Sequence, residues 1–137
     1  MSRFDNVPEL DHDRMMLRKG QDAVSLNGRL ERRIAYHLGL YLERAGFTLI
    51  YATDGEDTQR GPGGLKAGPL GVKGAMEFLF ERDSLVYWNF RKEGHPTHWV
   101  QLVTGNGIDL LSDWSYTNGD PDGFDAAMDR FDVEDYA

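Results

Sequence analysis

Between residues 75 and 116 apolar and polar side chains alternate, and short turn-forming clusters break the alternation. Met76, Phe78 and Phe80 alternate with Glu77, Leu79 and Glu81. That period of two predicts a half-buried strand over 75–81. Arg82, Asp83 and Ser84 can turn the chain. Residues 85–91 follow, with Val86, Trp88 and Phe90 on one face and Leu85 and Tyr87 on the other. A strand apolar on both faces belongs in the middle of a sheet. After Lys92-Glu93-Gly94-His95, Pro96 fits the start of a strand, because it has no N–H to donate. The spacing then predicts strands over 97–104 and 108–116. Asn106-Gly107 is a turn pair that tolerates positive φ. With these two residues as the loop, Val103 opposes Leu110, Gln101 opposes Ser112 and Trp99 opposes Trp114. Leu102 then meets Leu111 and Val100 meets Asp113. A fifth strand is predicted over 47–52, with Phe47, Leu49 and Tyr51 on one side.

Helical spacing shows in two places. Leu30, Ile34, Leu38, Tyr41 and Ala45 form one stripe over 25–45, and Gly46 stands where a left-handed cap is wanted. Phe124, Ala127, Met128 and Phe131 predict a short helix over 122–131. Asp120 reads as its N-cap and Pro121 as its first helical residue. Residues 1–24 are an N-terminal extension or a short helix, with Asn6 as cap, Pro8 in the first turn, and Leu10, Arg14 and Leu17 on one side. The stretch 53–73 carries six glycines and two prolines and reads as a flexible loop. The acidic tail 132–137 is expected to fray. Together these elements predict one α+β domain over 1–137. Its antiparallel sheet has about five strands, with both helices packed on one face. Aromatic side chains on the other face would then mark an interface, which leaves room for a homodimer.

Composition removes several classes of function. With no cysteine, disulfides and thiolate metal sites are excluded. No apolar run is long enough for a membrane span, and no secretory leader is visible at the N-terminus. A cytoplasmic location is the expectation. The net charge of −8 is unevenly spread: residues 1–74 hold 11 basic and 10 acidic side chains, whereas residues 109–137 hold nine acidic ones and only Arg130. A pI near 4.9 argues against direct nucleic-acid binding, despite Arg29, Arg32 and Arg33 on one helix. Those arginines read as a solvated face, available to pair with the acidic C-terminus.

No nucleophile elbow, zincin helix, phosphate loop or dinucleotide fingerprint occurs. No cofactor and no metal are expected. Asp11-His12-Asp13 reads as helix surface, since neighbouring helical residues point in different directions. Asn118, Asp120, Asp122, Gly123 and Asp129 resemble positions 1, 3, 5, 6 and 12 of an EF-hand calcium loop. The resemblance covers twelve residues. It departs at Asn118, Pro121, Asp125 and Asp129, and the segment before it reads as a strand rather than a helix. His95 and His98 could join a carboxylate such as Asp113 in a small enzyme site under the 53–73 loop. The favoured expectation is non-enzymatic: a protein-binding or inhibitor module that meets a basic partner. Crowded carboxylates repel one another unless something positive screens them. The composition is similar to that of small acidic domains that neutralise nucleases and restriction systems. The expected contact residues are Asp109, Asp113, Trp114, Asp120, Asp122, Asp125 and Asp129, with the aromatic ring as an anchor.

Overall fold

The computed structural model describes residues 7–21, 24–55, 59–61 and 69–136. In chain order the elements are α1 (Asp11–Arg18), α2 (Leu26–Arg44), β1 (Thr48–Thr53), β2 (Gln59–Arg60), α3 (Gly71–Arg82), β3 (Leu85–Arg91), β4 (Thr97–Val103), β5 (Leu111–Trp114) and α4 (Phe124–Arg130). Short 3₁₀ turns cover Gly107–Asp109 and Val133–Tyr136. The five strands form one antiparallel sheet in the order β2-β1-β3-β4-β5. The α+β class and the five-stranded sheet are as the sequence predicts. No helix among the described residues is long and apolar enough to cross a membrane.

The long helix forms where its stripe predicts. Ser25 caps it by accepting from Gly28 N at 3.0 Å. At its other end Gly46 takes φ +97°. Phe47 N then reaches Leu42 O at 2.9 Å and Gly46 N reaches Glu43 O at 3.0 Å, a Schellman closure. The buried face centres on Ile34, Ala35, Leu38 and Leu42, so Ala45 is left exposed. Gly39 meets α3 directly. A Cβ there would lie 2.7 Å from Val72 Cγ1, so the glycine sets how closely the two helices approach.

The strand predicted over 75–81 is instead the second half of α3. Val72, Ala75, Met76 and Leu79 are buried at helical spacing, and Phe78 and Phe80 are buried as well. The helix packs on β1, β3, α2 and α1, so apolar residues surround most of it and a period of two emerges by accident. It ends at Asp83, whose φ of 51° is left-handed. The sheet keeps five strands because β2 forms inside the 53–73 stretch, pairing Arg60 with Ala52 and Gln59 with Thr53. The end of that stretch begins α3. The rest of the expected loop, 56–58 and 62–68, lies outside the described residues.

β3 and β4 pair without interruption from Leu85↔Val103 to Arg91↔Thr97. Their inner face carries Val86, Trp88, Phe90, His98, Val100 and Leu102, all buried. α3 reaches this face where Trp88 Nε1 donates to Ala75 O at 3.2 Å. α4 reaches it where the Phe124 ring stacks on His98. α2 joins both, through Gly39 on α3 and through Tyr41 Oη, which donates to Ala127 O at 2.6 Å. On the other face Tyr87 lies edge-on to Trp99 at 5.4 Å and its hydroxyl accepts from Gln101 Nε2. These rings are half-buried rather than open.

The last hairpin differs from the two-residue loop over Asn106-Gly107. Gly105 and Gly107 take φ of +94° and +59°, but Asn106 stays at −95°, which a type I′ turn forbids. Residues 104–110 therefore connect the strands, with a 3₁₀ turn over Gly107–Asp109 where the strand 108–116 was expected to begin. Leu102 does pair with Leu111, but a bulge then sets Gln101 opposite Asp113 and Val100 opposite Trp114. The extra residue turns Trp114 to the inner face and Asp113 to the outer one.

The C-terminal helix is shorter than 122–131 and starts at Phe124, after Gly123 at φ +73°. Asp120 caps it from further back than an N-cap: its two oxygens accept from Asp125 N and Ala126 N, each at 3.0 Å. The tail expected to fray is folded through Tyr136, which stacks on His37 at 4.6 Å and on Phe131 at 5.5 Å. Among the described residues of the N-terminal segment only Leu10, just before α1, is fully buried, and Leu17 is exposed. The predicted cap Asn6 lies outside the described residues.

Candidate functional site

His98 follows from the register. It alternates with Val100 and Leu102 along β4 and opposes Phe90, so it must enter the core. A buried imidazole needs a polar partner. Asp122, in the loop before α4, supplies it: Asp122 Oδ2 lies 2.6 Å from His98 Nε2. The His98 ring is fixed on both sides, stacked on Phe124 at 4.6 Å and edge-on to Phe47 at 6.1 Å. His95 stands in the β3–β4 turn, with its N donating to Lys92 O at 3.0 Å. Its Nδ1 pairs with the other carboxylate oxygen, Asp122 Oδ1. The side chains of Asp122 and His98 are 1% and 4% exposed, that of His95 46%. One buried carboxylate thus joins a core histidine to a surface histidine.

The hydrogen bond to His98 holds the Asp122 carboxyl below its ordinary range. Burial opposes this, and the charges of His95 and His98 reinforce it. A carboxyl with a depressed folded pKa stabilises the native state above its unfolded value, near 3.8. The contribution is lost as pH falls through the folded value. Asp122→Asn should therefore flatten the acid limb of the stability profile, measured by urea unfolding at stepped pH below 5. A limb unchanged in the variant would show that Asp122 does not couple protons to folding.

The carboxylate that meets both histidines is Asp122, not Asp113. Asp113 lies opposite Gln101 on the other sheet face and accepts from Trp114 N at 2.9 Å. The partners of His95 and His98 come from the β3–β4 turn, Phe47, Asp122 and Phe124, none of which lies in 53–73. The expected partner-contact residues also divide. Asp120 caps α4, Asp122 binds the histidines, and Asp125 accepts from Trp114 Nε1 at 2.8 Å. Asp122 and Asp125, through His98 and half-buried Trp114, anchor the C-terminal segment to the sheet, while Asp120 holds the start of α4. Asp109, Asp113 and Asp129 are exposed, as are Asp132, Glu134 and Asp135. Among the described residues no ion pair joins these six carboxylates to a lysine or arginine.

Several contacts lay parts of the C-terminal segment along one helix. The Gly107–Asp109 turn packs near Asn27 and Glu31 of α2, Tyr136 near Arg33 and His37, and Ala127 at Tyr41. The C-terminal segment therefore follows α2 for about 20 Å, at 1.5 Å per residue. Of the α2 arginines, Arg32 is bidentate to Asp13 at 2.7 and 2.8 Å and lies 4.1 Å above the Phe80 ring. Arg33 Nε donates to Tyr136 O at 3.4 Å.

The calcium-loop resemblance does not assemble. The carboxylates of Asp120 and Asp122 serve different partners, and among the described residues no group of three or more metal-ligating side chains could hold an ion. Asp11 and Asp13 likewise point apart, to Lys73 and Arg32. Compared with family models, curated proteins and solved structures, the chain matches none. Its functional reading rests on its own residues.

Proposed function

We propose that the chain is a protein-binding or inhibitor module that engages a basic protein through its C-terminal acidic surface. The observation that carries this reading is the set of six exposed carboxylates with no intramolecular cation among the described residues. Such groups create a local negative potential that steers a cationic partner and selects against anionic ones. The contact residues reduce to Asp109, Asp113 and Asp129, joined by Asp132, Glu134 and Asp135. Exposed Tyr116 can add an apolar contact. Trp114, Asp120, Asp122 and Asp125 support the surface from behind.

The test is the triple variant Asp109→Asn, Asp113→Asn, Asp129→Asn as bait in a lysate of the native host. A basic protein held by the wild type at low salt should bind the triple variant about tenfold more weakly. High salt should release it from the wild type, because exposed charges are screened within about 10 Å at 0.1 M. Capture that ignores both the substitutions and the salt would remove the basis for this reading.

A further inference from the structure

We propose that a cavity beside the start of α2 binds a small organic molecule through its primary ammonium group, with Glu31 as the anchor. The site goes beyond partner binding and uses none of the six exposed carboxylates. The cavity holds about 320 Å³ and lies between α1, the first turns of α2, the end of α3 and the 104–110 connection, a volume that suits a small ligand. Glu31 lines it, although the residue is only 4% exposed. One oxygen of its carboxylate, Oε2, accepts from Gly105 N and Gly107 N. The other, Oε1, meets no donor among the described residues. It is not sealed in the core either, so it opens on the cavity. A carboxylate held this far from bulk water attracts a cation more strongly than an exposed one does.

The lining selects the chemistry of the cation. Asp83, at the end of α3, adds a second carboxylate, exposed and without an ion pair among the described residues. Arg32 also lines the cavity, but Asp13 answers its charge at 2.7 Å. The N-terminus of α2 carries about half a positive charge, and two full carboxylates outweigh it. The wall is therefore negative. A guanidinium is matched by both oxygens of one carboxylate, and Glu31 has only Oε1 to give. A metal ion takes several ligands, and among the described residues no group of three or more metal-ligating side chains could hold one. An ammonium is a compact charge that a single oxygen can hold. Ser25 and Asn27, on the same lining, offer acceptor oxygens to its remaining N–H groups. Val24 and Phe80 supply apolar contact for a short alkyl chain.

The probe is n-butylamine, titrated into the full chain and followed by ¹⁵N NMR of the backbone amides, with 1-butanol and matched sodium chloride as controls. At about pH 8 an alkylammonium keeps its proton. The amides of Gly28, Glu31 and Gly105 should shift and saturate with a Kd of about 1 mM, and neither control should reproduce this. Glu31→Gln should weaken binding about tenfold, because its oxygen is committed to the two glycines and its NH₂ then faces the cavity. Asp83→Asn should weaken binding about threefold. Asparagine tolerates the left-handed φ of 51° at this position, so that variant keeps the fold. A wild-type titration that never saturates, that 1-butanol reproduces, or that shifts only Asp109, Asp113 and Asp129 overturns the proposal. So does a folded Glu31→Gln with wild-type affinity. Should Glu31→Gln fail to fold, unchanged affinity in Asp83→Asn overturns it.

Discussion

Trp88→Ala should cost about 4 kcal/mol, the range measured for removing a large aromatic from a packed core. Trp88 is fully buried at the middle of β3, between Ala52 of β1 and Val100 of β4. Its indole also donates to Ala75 O on α3, so one side chain ties the sheet to the helix above it. A domain of this size has about 5–15 kcal/mol to lose, and the variant should consume a large part of that. Trp88→Phe keeps most of the ring and gives up the hydrogen bond, which adds about 1 kcal/mol to the smaller volume loss. Urea unfolding followed by far-UV circular dichroism checks both. The midpoint should fall steeply for alanine with little change in slope. A loss under about 1 kcal/mol for Trp88→Ala would mean that the indole does not occupy the centre of the core.

The strands around Trp88 were legible because sheet pairing writes a period of two into the sequence. β3 and β4 appear almost residue for residue where Val86, Trp88 and Phe90 and then Val100 and Leu102 alternate. α2 was legible from its stripe and its closing glycine. α3 was not. Its first turn holds Gly71 and Gly74, poor helix formers that merge with the glycine-rich stretch before them. Its start has no side-chain cap. With Val72 hidden in that stretch, the helical spacing Val72, Ala75, Met76, Leu79 lost its first member, and Met76, Phe78 and Phe80 passed for a strand.

The candidate site was half legible. His98 shares the face of Val100 and Leu102, a signal for burial that the sequence reading, which set it beside His95 at a turn with Asp113, did not use. What could not be read was its partner. Asp122 lies 24 residues away, across a strand and an irregular loop, and no local pattern reports that closure. The same limit hid the division of the acidic segment. Asp120, Asp122 and Asp125 have the spacing of a solvated acidic run, yet each finds a donor that only the folded chain brings near. A carboxylate drawn inward this way no longer contributes an open surface charge. The net charge of a segment therefore overstates what a partner meets.

Glu31 shows the same principle with a larger consequence. Placed among Arg29, Arg32 and Arg33 it reads as helix surface, yet it is 4% exposed. Its Oε2 accepts from Gly105 N at 2.8 Å and from Gly107 N at 2.9 Å. Those two bonds replace a tight hairpin turn as the device that shapes residues 104–110. Gly107 sits at φ +59°, a left-handed conformation that favours glycine, and a Cβ there would also displace the Asn27 side-chain tip, 2.4 Å away. Glu31→Ala should cost about 3 kcal/mol, because two charge-assisted bonds are lost and a buried N–H is left without an acceptor. Glu31→Gln keeps an acceptor oxygen without the charge and should cost about half as much. Amide exchange at Gly105 and Gly107 should quicken in Glu31→Ala before the global midpoint is reached, since the connection opens locally. Asp109 rides on this connection and Asp113 follows it, so the alanine variant should also weaken capture of a basic partner at temperatures where the core is intact. Unchanged exchange at the two glycines would mean that α2 does not shape the connection, and Asp109 would then owe its position to something other than Glu31.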